Sequence, residues 1–417
     1  MSKTKRDTSN RAAGELNGPA PQDARISAVG DQLRASFGAL LRSIPGGPLR
    51  AQELARYLSV NKDLSNRLVN AVKKQDPLAV MHVIPGPDPL RRFLQAATKK
   101  GLDAKEIKKA YAAVEQFEVL IREEAGDRAY LEAIISAWLP EARQRSDLIN
   151  KQAVFKSMSQ IKGASAEVRF VTAILFPAKP KGEYDVSVAL VSGQVGLRRV
   201  RPDAIVSVST LRTKIPQHVR PRTLDGEPVS DFTRVRLDEF CSSNPAEALE
   251  VHEAGDSVHY VLPQGEAGRG AVVDLITAEL NPNCLCSKWR EADPNDSISA
   301  VVSLPYRSLV LDVLIHPDLT TFGEPTLQVH DTAPRGLVEI GDESRTVDRL
   351  DIVEPVTRLK GGVQRYRSSV VPNYVELMQH VSGRIGLDAD TLEGFRCRSQ
   401  YPLYGCQISM VFEKDAR

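Results

Sequence analysis

Apolar positions recur at helical spacing through roughly the first 160 residues and at period two beyond them. Val29, Leu33, Phe37, Leu40 and Leu41 form one helical stripe over 28–43, which Ile44-Pro45-Gly46-Gly47-Pro48 ends. Two short helices are predicted near 50–58 and 62–75. Asp88 before Pro89 reads as an N-cap opening a helix to about Lys100, and Gly101 closes it. Asp103 caps the next, whose stripe is Ile107, Tyr111, Val114, Phe117 and Ile121 and which ends at Gly126. Tyr130, Leu131, Ile134, Ile135 and Trp138 mark a further helix that stops before Pro140, and 141–161 predicts a polar, exposed or partner-facing one. Val80–Ile84 reads as a short strand, the start of an incomplete wing.

At Gly163 the period changes. Val168, Phe170, Thr172, Ile174 and Phe176 alternate, with a second apolar face as in a central strand. Tyr184, Val186, Val188 and Leu190 predict a second strand. Others follow at 203–208, 257–263, 271–277, 297–304 and 308–316, and a last one carries Cys406, Ile408, Met410 and Phe412. One helix, about 373–385, interrupts this half. The expected fold class is α+β and multidomain: a disordered tail over 1–24, an all-α domain over 25–100, a helical connector or dimerisation region over 101–162, and a β-rich effector or interaction domain over 163–417.

Composition narrows the classes. With 42% hydrophobic and 26% charged residues, the 417-residue chain is neither fibrous nor mostly disordered. No apolar run is long enough to span a bilayer, and no apolar segment follows the polar N-terminus, so no membrane contact and a cytoplasmic site are expected. Five cysteines argue against a disulfide framework. The net charge of +2 conceals an asymmetry: 17 Lys/Arg against 8 Asp/Glu in 1–100, and 14 against 24 in 201–350. Without residues 1–24 the basic segment keeps 13 against 5, so the tail is not its source. A basic head on an acidic body suits a polyanion-binding module joined to a second function.

The head contains RAQELARYLSVNKDLSNRLVNAVKKQ at 50–75. Glu53-Leu54-Ala55, then Ser59-Val60 at a turn, Asn61 as N-cap and Arg67 near the middle of the second helix resemble the helix-turn-helix of bacterial transcriptional regulators. The departure is Ser59, where that family usually has glycine in a left-handed conformation. The resemblance implies that the helix over 62–75 enters the major groove of double-stranded DNA. Its buried face is expected to be Leu64, Leu68, Val69 and Val72. Lys62, Asp63, Ser65, Asn66, Asn70 and Lys73 would lie on its open face, with Arg67 and Lys74 at the flanks. Asn suits adenine, Lys suits guanine or phosphate, and Asp63 suits a cytosine amino group or a cap. Arg50, Arg56, Arg67, Lys73, Lys74, Arg91 and Arg92 are candidate phosphate contacts.

Elsewhere the chemistry is sparse. The cysteines lack zinc spacing, the seven histidines form no ligand pair, and no phosphate loop or nucleophile elbow is present. His316 near Asp312 and Asp318 is a candidate base, or a satisfied strand-end residue. Gly265–Gly270 reads as a hairpin turn. The cations Arg345, Arg349, Arg358, Lys360, Arg365 and Arg367 read as solvated. Arg396, Arg398 and Tyr401 read as an anion or subunit contact, or as a packed hairpin. No catalytic residue, metal or cofactor is assigned. The expected function is a DNA-binding transcription regulator, a homodimer with a small-molecule or protein effector. The alternatives are an enzyme of unknown reaction in the β-rich half and an interaction adaptor without DNA contact.

Overall fold

The computed structural model describes residues 22–46, 50–136, 139–179, 185–212, 221–242, 249–262, 267, 272–286 and 295–413. Most of the polar tail, Trp138, Tyr184 and most of the Gly265–Gly270 turn lie outside the described residues. The fold is mixed α+β, helices first and sheets after, in two compact units, Met1–Ser146 and Asp147–Arg417.

The first unit is helical: α1 (Gln22–Arg42), α2 (Ala51–Leu58), α3 (Lys62–Lys73), α4 (Pro77–Val83), α5 (Pro87–Lys99), α6 (Ala104–Leu120) and α7 (Arg128–Ser136). The predicted stripes are its core. Leu33, Phe37 and Leu40 of α1 and Val114 and Phe117 of α6 are fully buried, and the Phe37 and Phe93 rings lie 6.1 Å apart. Asp103 caps α6 as predicted, accepting from the backbone N–H of Lys105 at 2.8 Å and of Glu106 at 3.3 Å. A π-helical turn over Ile121–Ala125 carries α6 to Gly126.

Three expectations change here. Val80–Ile84 is not a strand, and no wing begins there. Asp76 caps and Pro77 opens α4, with Val80 and Met81 buried; a five-residue apolar run has no period of its own, and the Asp-Pro start decides it. The helix α5 begins two residues earlier than Asp88 and Pro89 suggest, at Pro87 behind Gly86. Residues 101–136 are not a connector either, because α6 and α7 share one core with α1–α5.

The helix α8 (Pro140–Lys162) contains the boundary between the units. Within the second unit its Lys151 pairs with Glu354, and the Phe155 ring packs 5.3 Å from that of Tyr401. The strands come next: β1 (Ala164–Pro177), β2 (Val186–Arg199), β3 (Val206–Arg212), β4 (Glu250–Ala254), β5 (Ser257–Leu262), β6 (Val273–Leu285), β7 (Asn295–Val301), β8 (Tyr306–Ile315), β9 (Thr326–Asp331), β10 (Arg349–Leu350), β11 (Val356–Leu359), β12 (Glu393–Gln400) and β13 (Cys406–Glu413). A central sheet runs β11-β12-β8-β1-β2-β6, in which β1 pairs antiparallel with β2 and parallel with β8. Its apolar residues go to both faces, which is why β1 reads as apolar on both sides. One face packs with the sheet β10-β9-β13-β7. The other is covered by α9 (Tyr374–Arg384), with Leu377, Met378 and Val381 fully buried. A third sheet, β3-β5-β4, completes the unit.

Candidate nucleic-acid interface

Ser59 ends α2 in the left-handed conformation, at φ 56° and ψ 42°. The N–H of Val60 returns to the carbonyl of Ala55 at 3.0 Å, and the half-buried Val60 side chain packs on the helical core. This is a Schellman turn with its apolar plug, and it gives serine the conformation expected of glycine. The next residue starts the new helix: Asn61 Oδ1 accepts from the backbone N–H of Asp63 at 2.7 Å. Leu54 and Leu58 of α2 and Leu68 of α3 are buried, so the helix pair is seated by its leucines.

On α3, Lys62, Asp63, Asn66, Asn70 and Lys73 are exposed, as is Lys74 at its C-cap. Successive members of Lys62, Asn66, Asn70 and Lys73 are three or four positions apart and share one side of the helix. Asn70 donates to Asn66 Oδ1 at 3.4 Å, which aligns the two amides along that side.

Two expected members do not join them. Ser65 is fully buried, with no partner for its hydroxyl, because it stands three residues from Leu68 and seven from Val72 on the inner face. A small side chain there lets α3 approach its neighbours; polarity alone does not signal exposure. Leu64, Val69 and Val72, expected on the buried face with Leu68, are half-buried and pack against the core. Arg67 is turned along the flank, its Nε donating to Val83 O and its Nη2 to Ile84 O, each at 3.3 Å. Arg128 donates to Met81 O at 2.6 Å and to Ile84 O at 3.3 Å. Two guanidiniums thus satisfy the last carbonyls of α4, and Arg67 ties α3 to that end rather than facing outward. Burial, helped by the charges of Arg128, Arg145 and Arg67 against that of Glu132, holds His82 beside them below the ordinary imidazole pKa.

The cations around α3 divide in the same way. Arg91 is engaged by Glu118 and Asp88, whereas Arg92 and Lys99 are exposed without a described partner. Arg56 is exposed on α2, and Arg50 is exposed just before it. A groove of about 770 Å³ opens between the α2–α3 turn, α3 and α5. Val60, Leu64 and Ala96 lie along its floor, and Arg92, Lys99, Lys100 and Asp63 are among its polar lining.

In the β-rich unit the candidate chemistry does not converge. Asp312 is fully buried against Arg396, away from any role as partner of His316, whose Nδ1 accepts from the Asp318 backbone at 3.2 Å. Arg345 is buried, not solvated: it donates to Asp348 at 2.6 Å and to the carbonyls of Leu337 and Gly336. Burial pushes the thiols of Cys397 and Cys406 up, that of Cys406 to about 12, the opposite of what a nucleophile or metal ligand needs. Among the described residues no three His, Cys, Asp or Glu side chains group as metal ligands would. No described helix is long and apolar enough to cross a membrane. No protein-family model matches this chain, and no curated protein matches it either.

Proposed function

We propose that the chain is a DNA-binding transcription regulator whose helical unit reads duplex DNA through α3. One observation carries this reading: a short helix, seated by a left-handed turn and an N-cap, turns a row of amides and ammonium groups to solvent. Asn66 and Asn70 would pair with adenine edges, Lys62 would reach guanine or phosphate, and Asp63 would accept from a cytosine amino group, each good bidentate pair discriminating by about 1–3 kcal/mol. Lys73 and Lys74 would hold the backbone without reading it. A 12-residue helix meets few base pairs, so the working form is a homodimer on paired half-sites. The β-rich unit would take the small-molecule or protein signal.

Genome-wide crosslinking of the tagged full-length protein tests this. Discrete peaks sharing a motif are expected. Asn66→Ala is expected to flatten them, while Lys73→Ala with Lys74→Ala lowers all sites together. A protein that shifts no duplex DNA at low salt would reject the reading.

A further inference from the structure

Beyond the reading face of α3, its flanking groove has a composition of its own. Floor residues Val60, Leu64, Pro85, Pro89 and Ala96 are apolar, and the α5 wall carries Arg92, Lys99 and Lys100. Arg92 and Lys99 have no described partner, and Lys100 lies only over the Tyr57 ring, 5.7 Å from its centroid. Seven positions separate Arg92 from Lys99, about 10 Å along a helix, so the charge is strung out along two turns rather than gathered on one point. Among the described residues that line it, Asp63 is the one acidic side chain.

We infer that this groove seats one phosphodiester strand of the duplex whose bases α3 reads, so that the contact with DNA extends from α3 across to α5. The inference rests on the DNA reading above and adds to it which cations bind phosphate. A nucleic-acid strand alternates anionic phosphates with apolar sugar faces, and the groove offers a cationic wall over an apolar floor. Arg92 and Lys99 then supply affinity common to all sequences. Arg91, held by Glu118 on α6, supplies none, although the two arginines are adjacent in the chain. Asp63 opposes the strand, so its charge lowers affinity for DNA of mixed sequence.

The competing account is local. Lys99 and Lys100 close α5, where cations favour the negative end of the helix dipole, and Asp63 stands in the first turn of α3, where an acid favours the positive end. In that account the variants alter stability and leave DNA affinity unchanged.

The test is fluorescence anisotropy of the full-length protein on a labelled mixed-sequence duplex over a salt series, with a thermal melt of each variant as the folding control. Arg92→Gln with Lys99→Gln is expected to weaken binding at least about tenfold near 0.1 M salt. It should also make the slope of log affinity against log salt shallower by about 2, one unit per lost phosphate contact. Arg91→Gln is expected to leave that slope unchanged, and Asp63→Asn to tighten binding severalfold while slightly lowering the melting temperature. A wild-type slope in the double variant of a protein that binds DNA overturns the inference alone and assigns the groove to a protein segment or to solvent. Absence of duplex binding by the wild type removes the DNA reading and the inference together.

Discussion

At the residue scale, Ser59 shows how a local departure is accommodated. An L-residue in the left-handed region costs about 1–2 kcal/mol, which glycine avoids at a cost in unfolded-chain entropy of about 0.5–1 kcal/mol. The serine tolerates the strain because Val60 is anchored in the core and its N–H is satisfied by Ala55. Ser59→Gly is therefore expected to stabilise the helical unit by up to about 1 kcal/mol. Ser59→Val, whose branched side chain fits that conformation worst, is expected to destabilise it by more than that. Urea unfolding followed by circular dichroism reads both; equal midpoints for all three proteins would show that the turn carries no strain. The turn, its plug and the Asn61 cap were legible in the sequence because each depends on neighbours within five residues. The burial of Ser65 was not, since a serine on a helix carries no mark of what packs opposite it.

At the element scale the same limit is sharper. Thr172 of β1, Asp312 of β8 and Arg396 of β12 stand in one register row across three strands. Arg396 grips Asp312 through Nε at 2.9 Å and Nη2 at 2.6 Å, and its free N–H groups go to the carbonyls of Arg367 and Tyr366. From α9, Tyr374 donates to Asp312 at 2.6 Å and meets Thr172 Oγ1 at 2.5 Å. Burial and the Asp312 charge push the Tyr374 hydroxyl well above its ordinary pKa, so it stays a donor. The row fastens β12 and α9 to the sheet. Asp312→Ala or Arg396→Ala leaves a buried charge without its partner and is expected to cost about 3–5 kcal/mol, whereas Asp312→Leu with Arg396→Met together is expected to cost less than either alone. Guanidinium unfolding of the four proteins measures this, and additive losses would mean that the two side chains act independently. From the sequence, Asp312 read as a neighbour of His316, and Arg396 as an anion or subunit contact or part of a packed hairpin. Their separation of 84 positions hides the pairing. The strand β4, exposed throughout, likewise has no apolar alternation and exists through its pairing with β5.

At the scale of the whole molecule the boundaries shift. Sequence pattern closes the head domain near residue 100 and makes residues 101–162 a connector or dimerisation region. The structure places Ile107, Val114 and Phe117 of α6 and Leu131 and Ile135 of α7 in the core of α1–α5. A fragment of residues 22–100 is therefore expected to lack a cooperative melt, because the apolar residues that α6 and α7 cover are left open to solvent, while 22–146 melts as a single transition. Circular dichroism of the two fragments decides this, and a cooperative melt of the shorter one would return the boundary to residue 100. The chain alone settled that a helical half precedes a β-rich one, the turn at Ser59 and the basic head, since these depend on periodicity, caps and charge counted along one line. Only the folded chain decided which cations remain free, which polar groups are buried in pairs and where one core ends, because those depend on contacts between residues far apart in sequence.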